Sequence, residues 1–232
     1  MRVRAVALDV DGTLTDSSMR LSLRAVEAVR RLEEAGVPVM LCTGNALCVA
    51  KALATYLGCT GPLVCEGGGV VEYHGVVKPL ASREAALKGL EALKARFAPL
   101  IEESWTNQYR LVDAAFNSPL SLDILSEALR GVEGVKLVYT GFAYHVVDAS
   151  IDKAAGLREA ASMMGVDLAE VVAVGDGEVD EPMVRQAGLG VALGNAPKRL
   201  KEAADLVVEG GDGEGLADLV EWLLSWVRPS RA

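Results

Sequence analysis

Four short clusters carry side chains whose types and spacing could do chemistry. Asp9-Val10-Asp11-Gly12-Thr13-Leu14-Thr15 closes a near-continuous apolar run that begins at Val3 and reads as a buried parallel strand. Positions two apart on a strand share a face, so both carboxylates can point into one crevice at the strand's C-terminal end. Open α/β sheets bind ligands there. Two acids ending an apolar run are costly unless something positive sits between them, and a hard cation with oxygen ligands would serve. A plain Asp-Gly turn is the alternative. Gly175-Asp176-Gly177-Glu178-Val179-Asp180 repeats the arrangement after the apolar Val171–Val174, which makes Asp176 and Asp180 candidate metal ligands. An acidic first helical turn complementing the helix dipole is the alternative for them.

The other two clusters suit a phosphate. Thr43-Gly44-Asn45 lies between a strand and a helix, where a hydroxyl and backbone N–H groups fit a phosphate oxygen. The same tripeptide alone also reads as an ordinary capping loop. Lys153 opens a helix, where its charge opposes the dipole. A phosphoryl group would give that cation a purpose, and a solvated surface lysine is the alternative.

Elements that could position these groups are legible along the chain. Ser22–Glu34 has helical apolar spacing and stops at Gly36, Val37–Cys42 is a second buried strand, Ala46–Leu57 a helix, and Leu63–Cys65 a short strand. This β-α-β-α-β order predicts a parallel sheet with right-handed crossovers. After Gly67-Gly68-Gly69 the pattern changes. Hairpins at His74-Gly75 and at Gly141 alternate with helices over Ser82–Phe97 and Ser121–Leu129, and Glu102–Phe116 holds two extended stretches. Helix–strand alternation resumes with Lys153–Met164 and runs to a terminal helix over Leu216–Val227. The expected fold is therefore α/β, a Rossmann-like parallel-sheet core of residues 1–79 and 152–232 interrupted by an inserted α+β cap of residues 80–151.

Bulk properties narrow the partners. The net charge of −9 and the lack of a dense basic run argue against nucleic acid, while a cleft can still attract a small anion. Asp9 and Asp11 interrupt the N-terminal apolar run too early for a signal peptide, and Leu219–Val227 is too short to span a bilayer. A cytoplasmic protein with no membrane partner is expected; a homodimer is left open. Cys42, Cys48, Cys59 and Cys65 form no C-x-x-C pair, so buried reduced thiols are expected rather than a zinc site. Gln is limited to Gln108 and Gln186, a weak thermophilic sign.

The order of the clusters is more specific than any one of them. Asp-x-Asp-Gly-Thr, Thr-Gly-Asn, Asp-Lys and Gly-Asp-Gly-x-x-Asp in succession resemble the haloacid dehalogenase superfamily of phosphatases, over the whole chain. The resemblance implies Asp9 as nucleophile and Asp11 as general acid/base. It implies Thr43, Gly44 and Lys153 around the phosphate of a small phosphorylated metabolite. It also implies Mg²⁺ held by Asp9, Asp11 (through its carbonyl), Asp176 and Asp180. Gly194-Asn195-Ala196 and Asp212–Leu216 resemble later core loops of the family. Two positions depart from its pattern, Val179 and Gly67, each where Asn is usual. The placement of the insert resembles the sugar-phosphatase-like branch, and Gly61–Gly69 with Trp105–Arg110 is similar to archaeal phosphoglycolate phosphatases. That branch carries a Trp- and Arg-containing cap strand; because guanidinium binds carboxylate in a two-pronged geometry, Arg110, assisted by Asn107 or Gln108, is the candidate to bind the carboxylate of glycolate, with a solvated strand residue as the alternative. A broader sugar-phosphate or phosphoglycerate-type phosphatase, a mutase, or an inactive phosphate-binding protein are the competing functions.

Overall fold

The apolar residues before Asp9 are wholly buried and form β1, Ala5–Leu8, in a computed structural model that describes residues 2–226. Ser22 caps α1, Leu23–Glu34, by accepting from the Ala25 N–H, one of the donors a helix start leaves open. β2, Val39–Cys42, α2, Leu47–Leu57, and β3, Leu63–Cys65, complete the first parallel unit. A hairpin follows, β4, Val70–Tyr73, and β5, Val76–Pro79. Then come α3, Arg83–Phe97, β6, Glu102–Glu103, β7, Ala114–Asn117, α4, Leu122–Ala128, β8, Val135–Tyr139, and β9, Tyr144–Asp148. The chain returns through α5, Lys153–Met164, β10, Val171–Gly175, α6, Glu181–Gln186, and β11, Leu189–Ala192. It closes with α7, Lys198–Ala203, β12, Leu206–Val207, and α8, Asp212–Trp226. The predicted end of the last helix, Val227, lies outside the described residues.

The larger sheet runs β12-β11-β10-β1-β2-β3-β4-β5, parallel as far as β3 and antiparallel beyond it. Its central strands are buried on both faces because helices cover each side. Strand alternation sorts the side chains. Val6, Leu8 and Leu41 pack with Val29, Leu32 and Leu219 of α1 and α8, while Ala5, Ala7 and Met40 pack with Leu157, Met183 and Leu200 of α5, α6 and α7. The α/β expectation holds on this sheet.

The smaller sheet, β6-β7-β9-β8, is antiparallel and has a core of its own. Leu90 and Leu93 of α3 and Leu125 of α4 cover one face through Phe116, Tyr144 and Val146. Alternation then turns His145 and Val147 of β9 to the opposite face.

Two details differ from the sequence reading. Trp105–Tyr109 is a 3₁₀ turn, not a strand, because Ser104 accepts from the Thr106 N–H and starts a local turn. Cys42 and Cys65 are buried, but Cys48 is exposed on α2 and Cys59 half-buried; all four are free thiols. Burial, above all, pushes the Cys42 thiol up to about 12.

Candidate active site

Adjacent strand ends gather the four clusters. β1 lies between β10 and β2, so Asp9 and Asp11, Asp176 and Asp180, and Thr43 and Gly44 leave the sheet side by side. The Asp9 N–H donates to the Val174 carbonyl at 3.0 Å, which fixes the first turn beyond β1 against β10. Gly12, at a φ of +95°, lets that turn approach its neighbour: a Cβ there would lie 2.2 Å from Asp176 Oδ2. Asp152 caps α5 by accepting from the Ala155 N–H at 2.8 Å, and the first residue of that helix, Lys153, is thereby buried in the crevice.

The reading of Lys153 as a surface residue is excluded. Its Nζ donates to Asp9 Oδ1 and, at 2.5 Å, to Asp180 Oδ1. Burial works against the lysine charge, but Asp180 and Asp9 outweigh it and push the pKa up. Asp180 Oδ2 accepts from the N–H groups of Asp176 and Gly177 at 3.1 and 2.9 Å, so both of its oxygens are engaged by protein donors. Asp176 accepts from Thr13 Oγ1 at 2.9 Å and from Asn195 Nδ2 at 3.0 Å. Asp11 Oδ2 accepts from Asn45 Nδ2 at 3.0 Å.

One carboxylate oxygen each of Asp9, Asp176 and Asp180 lies within 4.8 Å of the others. Burial, then the Asp180 charge, raises Asp9 well above the carboxylate range, and the same two causes lift Asp176 to about 6. A lone lysine does not offset three carboxylates crowded out of water. An all-oxygen acidic donor set of this kind fits a hard divalent cation. Asp9, Asp176 and Asp180 each have an oxygen placed to reach such an ion, and Asp180 in addition aligns Lys153 and the Asp176 backbone.

A cavity of about 490 Å³ opens in front of these groups. Asp9, Asp11, Gly44, Lys153, Asp176 and Asp180 form its floor, and the β8–β9 hairpin forms its roof through Val138, Phe142, His145 and Val147. Val179 adds to its apolar wall. Thr43 lies outside it, facing an adjoining cavity of about 190 Å³ with Asp11 and Asn45, and accepts from the Asn45 backbone and side chain. Gly67 stands at φ +66°, the left-handed region that Gly and Asn share, so its departure from Asn is conformationally accounted for.

The cap candidates are engaged elsewhere. Arg110 is buried, with Nη1 2.8 Å from both oxygens of Asp113 and 3.1 Å from the Gly44 carbonyl, and Nε donating to Thr106 Oγ1. Asn107 pairs with both the N–H and the C=O of Ala115, and Gln108 Nε2 donates to the Trp105 carbonyl. Arg110 and Asn107 are thus held by internal bonds, and neither lines the cavity in front of Asp9. Sequence reasoning also passed over Thr13, Asn45, Asn195, Asp113 and His145. The first three were within quoted motifs; for His145 the signal was its alternation with Tyr144 and Val146.

Comparison with known proteins adds independent findings. A family profile for haloacid dehalogenase-like hydrolases matches residues 6–111 and 137–220. A curated phosphoglycolate phosphatase of Methanothermobacter thermautotrophicus is 38% identical over 224 residues, 97% of this chain and 100% of its own. One from Archaeoglobus fulgidus is 39% identical over 222 residues, 95% of this chain and 96% of its own. A solved structure from Thermoplasma acidophilum superposes with a TM-score of 0.89 at 28% identity, covering 97% of this chain and 99% of that one. A haloacid dehalogenase-like hydrolase from Bacteroides thetaiotaomicron, 22% identical with a TM-score of 0.79, covers 96% of this chain and 100% of its own and shares the fold.

Proposed function

The chain belongs to the haloacid dehalogenase-like hydrolases, and from that premise we propose a cytoplasmic, Mg²⁺-dependent phosphatase that converts 2-phosphoglycolate to glycolate and phosphate. The observation that carries the reading is a buried Asp9, paired with Lys153, on the floor of a cavity roofed by the inserted hairpin. The names of the archaeal relatives support the choice of substrate.

In this reading a carboxylate oxygen of Asp9 attacks phosphorus, the ester oxygen leaves as the alcohol, and an aspartyl phosphate forms. Asp11 gives its proton to the leaving oxygen. Burial raises its pKa, against the pull of Lys153 and Asn45, which suits an acid. The Asn45 bond to Oδ2 fixes the orientation of the carboxyl. Asp11 then takes a proton from the water that attacks phosphorus and frees Asp9. Lys153 holds Asp9 in place and offsets negative charge on the transferred group. Mg²⁺, when bound by Asp9, Asp176 and the Asp11 carbonyl, supplies further charge neutralisation between the carboxylates and the phosphoryl oxygens.

A cavity of about 490 Å³ is roomy for a two-carbon acid, and this favours one second reading, a broader sugar-phosphate phosphatase. Phosphate release from 2-phosphoglycolate, 3-phosphoglycerate and hexose phosphates, each with and without Mg²⁺, tests both. The highest kcat/KM on 2-phosphoglycolate is expected. A preference for hexose phosphates would establish the second reading, and no release from any ester would refute both.

A further inference from the structure

With Arg110 turned inward, the cavity needs another group to distinguish one leaving alcohol from the next. His145 is 3% exposed, and its Nδ1 lies 2.8 Å from Asp113 Oδ2. Asp113 is held below the usual carboxylate range: burial opposes its charge, but the His145 bond and the Arg110 guanidinium prevail. Against that carboxylate Nδ1 carries a hydrogen and donates it. Nε2 is then the only buried side-chain nitrogen or oxygen among the described residues without a hydrogen-bond partner. Such an atom calls for a partner that the protein does not supply.

His145 lines the same cavity as Asp9 and Asp11. A Cβ placed on Gly44 would lie 3.9 Å from Nε2, so the imidazole edge stands over the Thr43–Asn45 loop. Of the other cations on the cavity wall, Lys153 is committed to Asp9 and Asp180, and Lys136 stands at the exposed side, with one of its donors on the Ala149 carbonyl at 3.2 Å. Val138, Phe142 and Val147 keep the surroundings apolar, where a single charged hydrogen bond counts for more than in water.

We propose that His145 is the specificity-determining residue of the cap, its Nε2 donating to the carboxylate of a short α-hydroxy-acid phosphate ester. In the proposed complex the ring donates from both nitrogens, held between two carboxylates, Asp113 at Nδ1 and the substrate's at Nε2, with Arg110 Nη1 3.5 Å from Nδ1 as the facing cation. Asp113 and Arg110 are positioning residues that fix the ring. The inference rests on the phosphoglycolate reading and names the group that carries it out.

The test compares kcat/KM for 2-phosphoglycolate with that for 2-hydroxyethyl phosphate, in which a neutral alcohol replaces the carboxylate. The wild-type ratio should be well above one. His145→Asn keeps an amide nitrogen near Nδ1 for Asp113 but has nothing at Nε2; the ratio should fall about 10-fold or more, the scale of a charge-assisted hydrogen bond. His145→Gln, which reaches the Nε2 position, should recover part of it. A high wild-type ratio retained in His145→Asn would overturn the role of His145 alone. A wild-type ratio near one would remove the phosphoglycolate reading and its reader together. Should the variants fail to fold, imidazole ¹⁵N NMR of the wild type serves, since His74 is the only other histidine. Glycolate added with inorganic phosphate should move the His145 Nε2 signal toward imidazolium, and an unmoved signal would overturn the proposal.

Discussion

Asp180 spends Oδ1 on Lys153 and Oδ2 on two backbone N–H groups, whereas Asp176 receives one neutral side-chain donor on each oxygen and no lysine. The two acids should therefore respond differently to removal. Asp176→Ala is expected to abolish turnover, while Asp180→Ala should raise the Mg²⁺ concentration needed for half-maximal rate by about 10–100-fold, the range for groups behind a ligand. Rate against Mg²⁺ concentration decides; equal losses would put Asp180 on a par with Asp176 as a ligand. Asp11→Asn should cost at least ~10² in rate, the scale of general acid/base work, and an effect under about fivefold would assign the proton transfer to another group. The acids were legible because each follows an apolar run where an uncompensated charge is expensive, and Lys153 because a cation at a helix start opposes the dipole. Arg110 finds a partner in Asp113, three residues on, that sequence spacing alone did not reveal.

The turn after β3 joins the sheet to the segment that leads into the smaller one. Glu66, fully buried, accepts from the backbone N–H groups of Leu111, Val112 and Asp113 at 2.9–3.1 Å. Burial first, and the Asp113 charge second, lift Glu66 from its ordinary 4.5 to about 7, although those N–H bonds pull the other way. Between about pH 4.5 and 7 the folded protein holds a proton that the unfolded chain has released. The stability this contributes is complete below the lower value and is lost as pH rises through the upper one. Glu66→Gln cannot titrate, so its melting temperature should gain on the wild type as pH climbs through that window. A difference that stays constant with pH would contradict this role. The elements themselves were readable from periodicity and stop signals, since their apolar spacing is regular. Trp105–Tyr109 was not, because a Ser-initiated 3₁₀ turn of five residues is too short to show a period.

For the molecule as a whole, a net charge of −9 and a phosphate ester as substrate are compatible only if the crevice is locally offset. Lys153 supplies one charge and a divalent cation would supply two more. Exhaustive chelation should abolish phosphatase activity and added Mg²⁺ restore it; full activity after chelation would exclude the metal. The parallel character of the larger sheet followed from the sequence because consecutive β-α-β units permit few arrangements, whereas its strand order was not read from the sequence. How the hairpin roof meets the catalytic floor did not, since it depends on contacts such as Arg110 to the Gly44 carbonyl between residues 66 positions apart. The central claim is that Asp9 is the nucleophile. It is tested most directly by mixing enzyme and 2-phosphoglycolate, quenching in acid within a single turnover, reducing the acyl phosphate with tritiated borohydride, which releases the phosphate and leaves tritiated homoserine in place of the phosphorylated aspartate, and locating the tritium label by peptide mass spectrometry. The account predicts label on the peptide containing Asp9, absent in Asp9→Asn, which should melt like the wild type but not turn over. Wild-type turnover with no labelled peptide, or with the label on another residue, would contradict it.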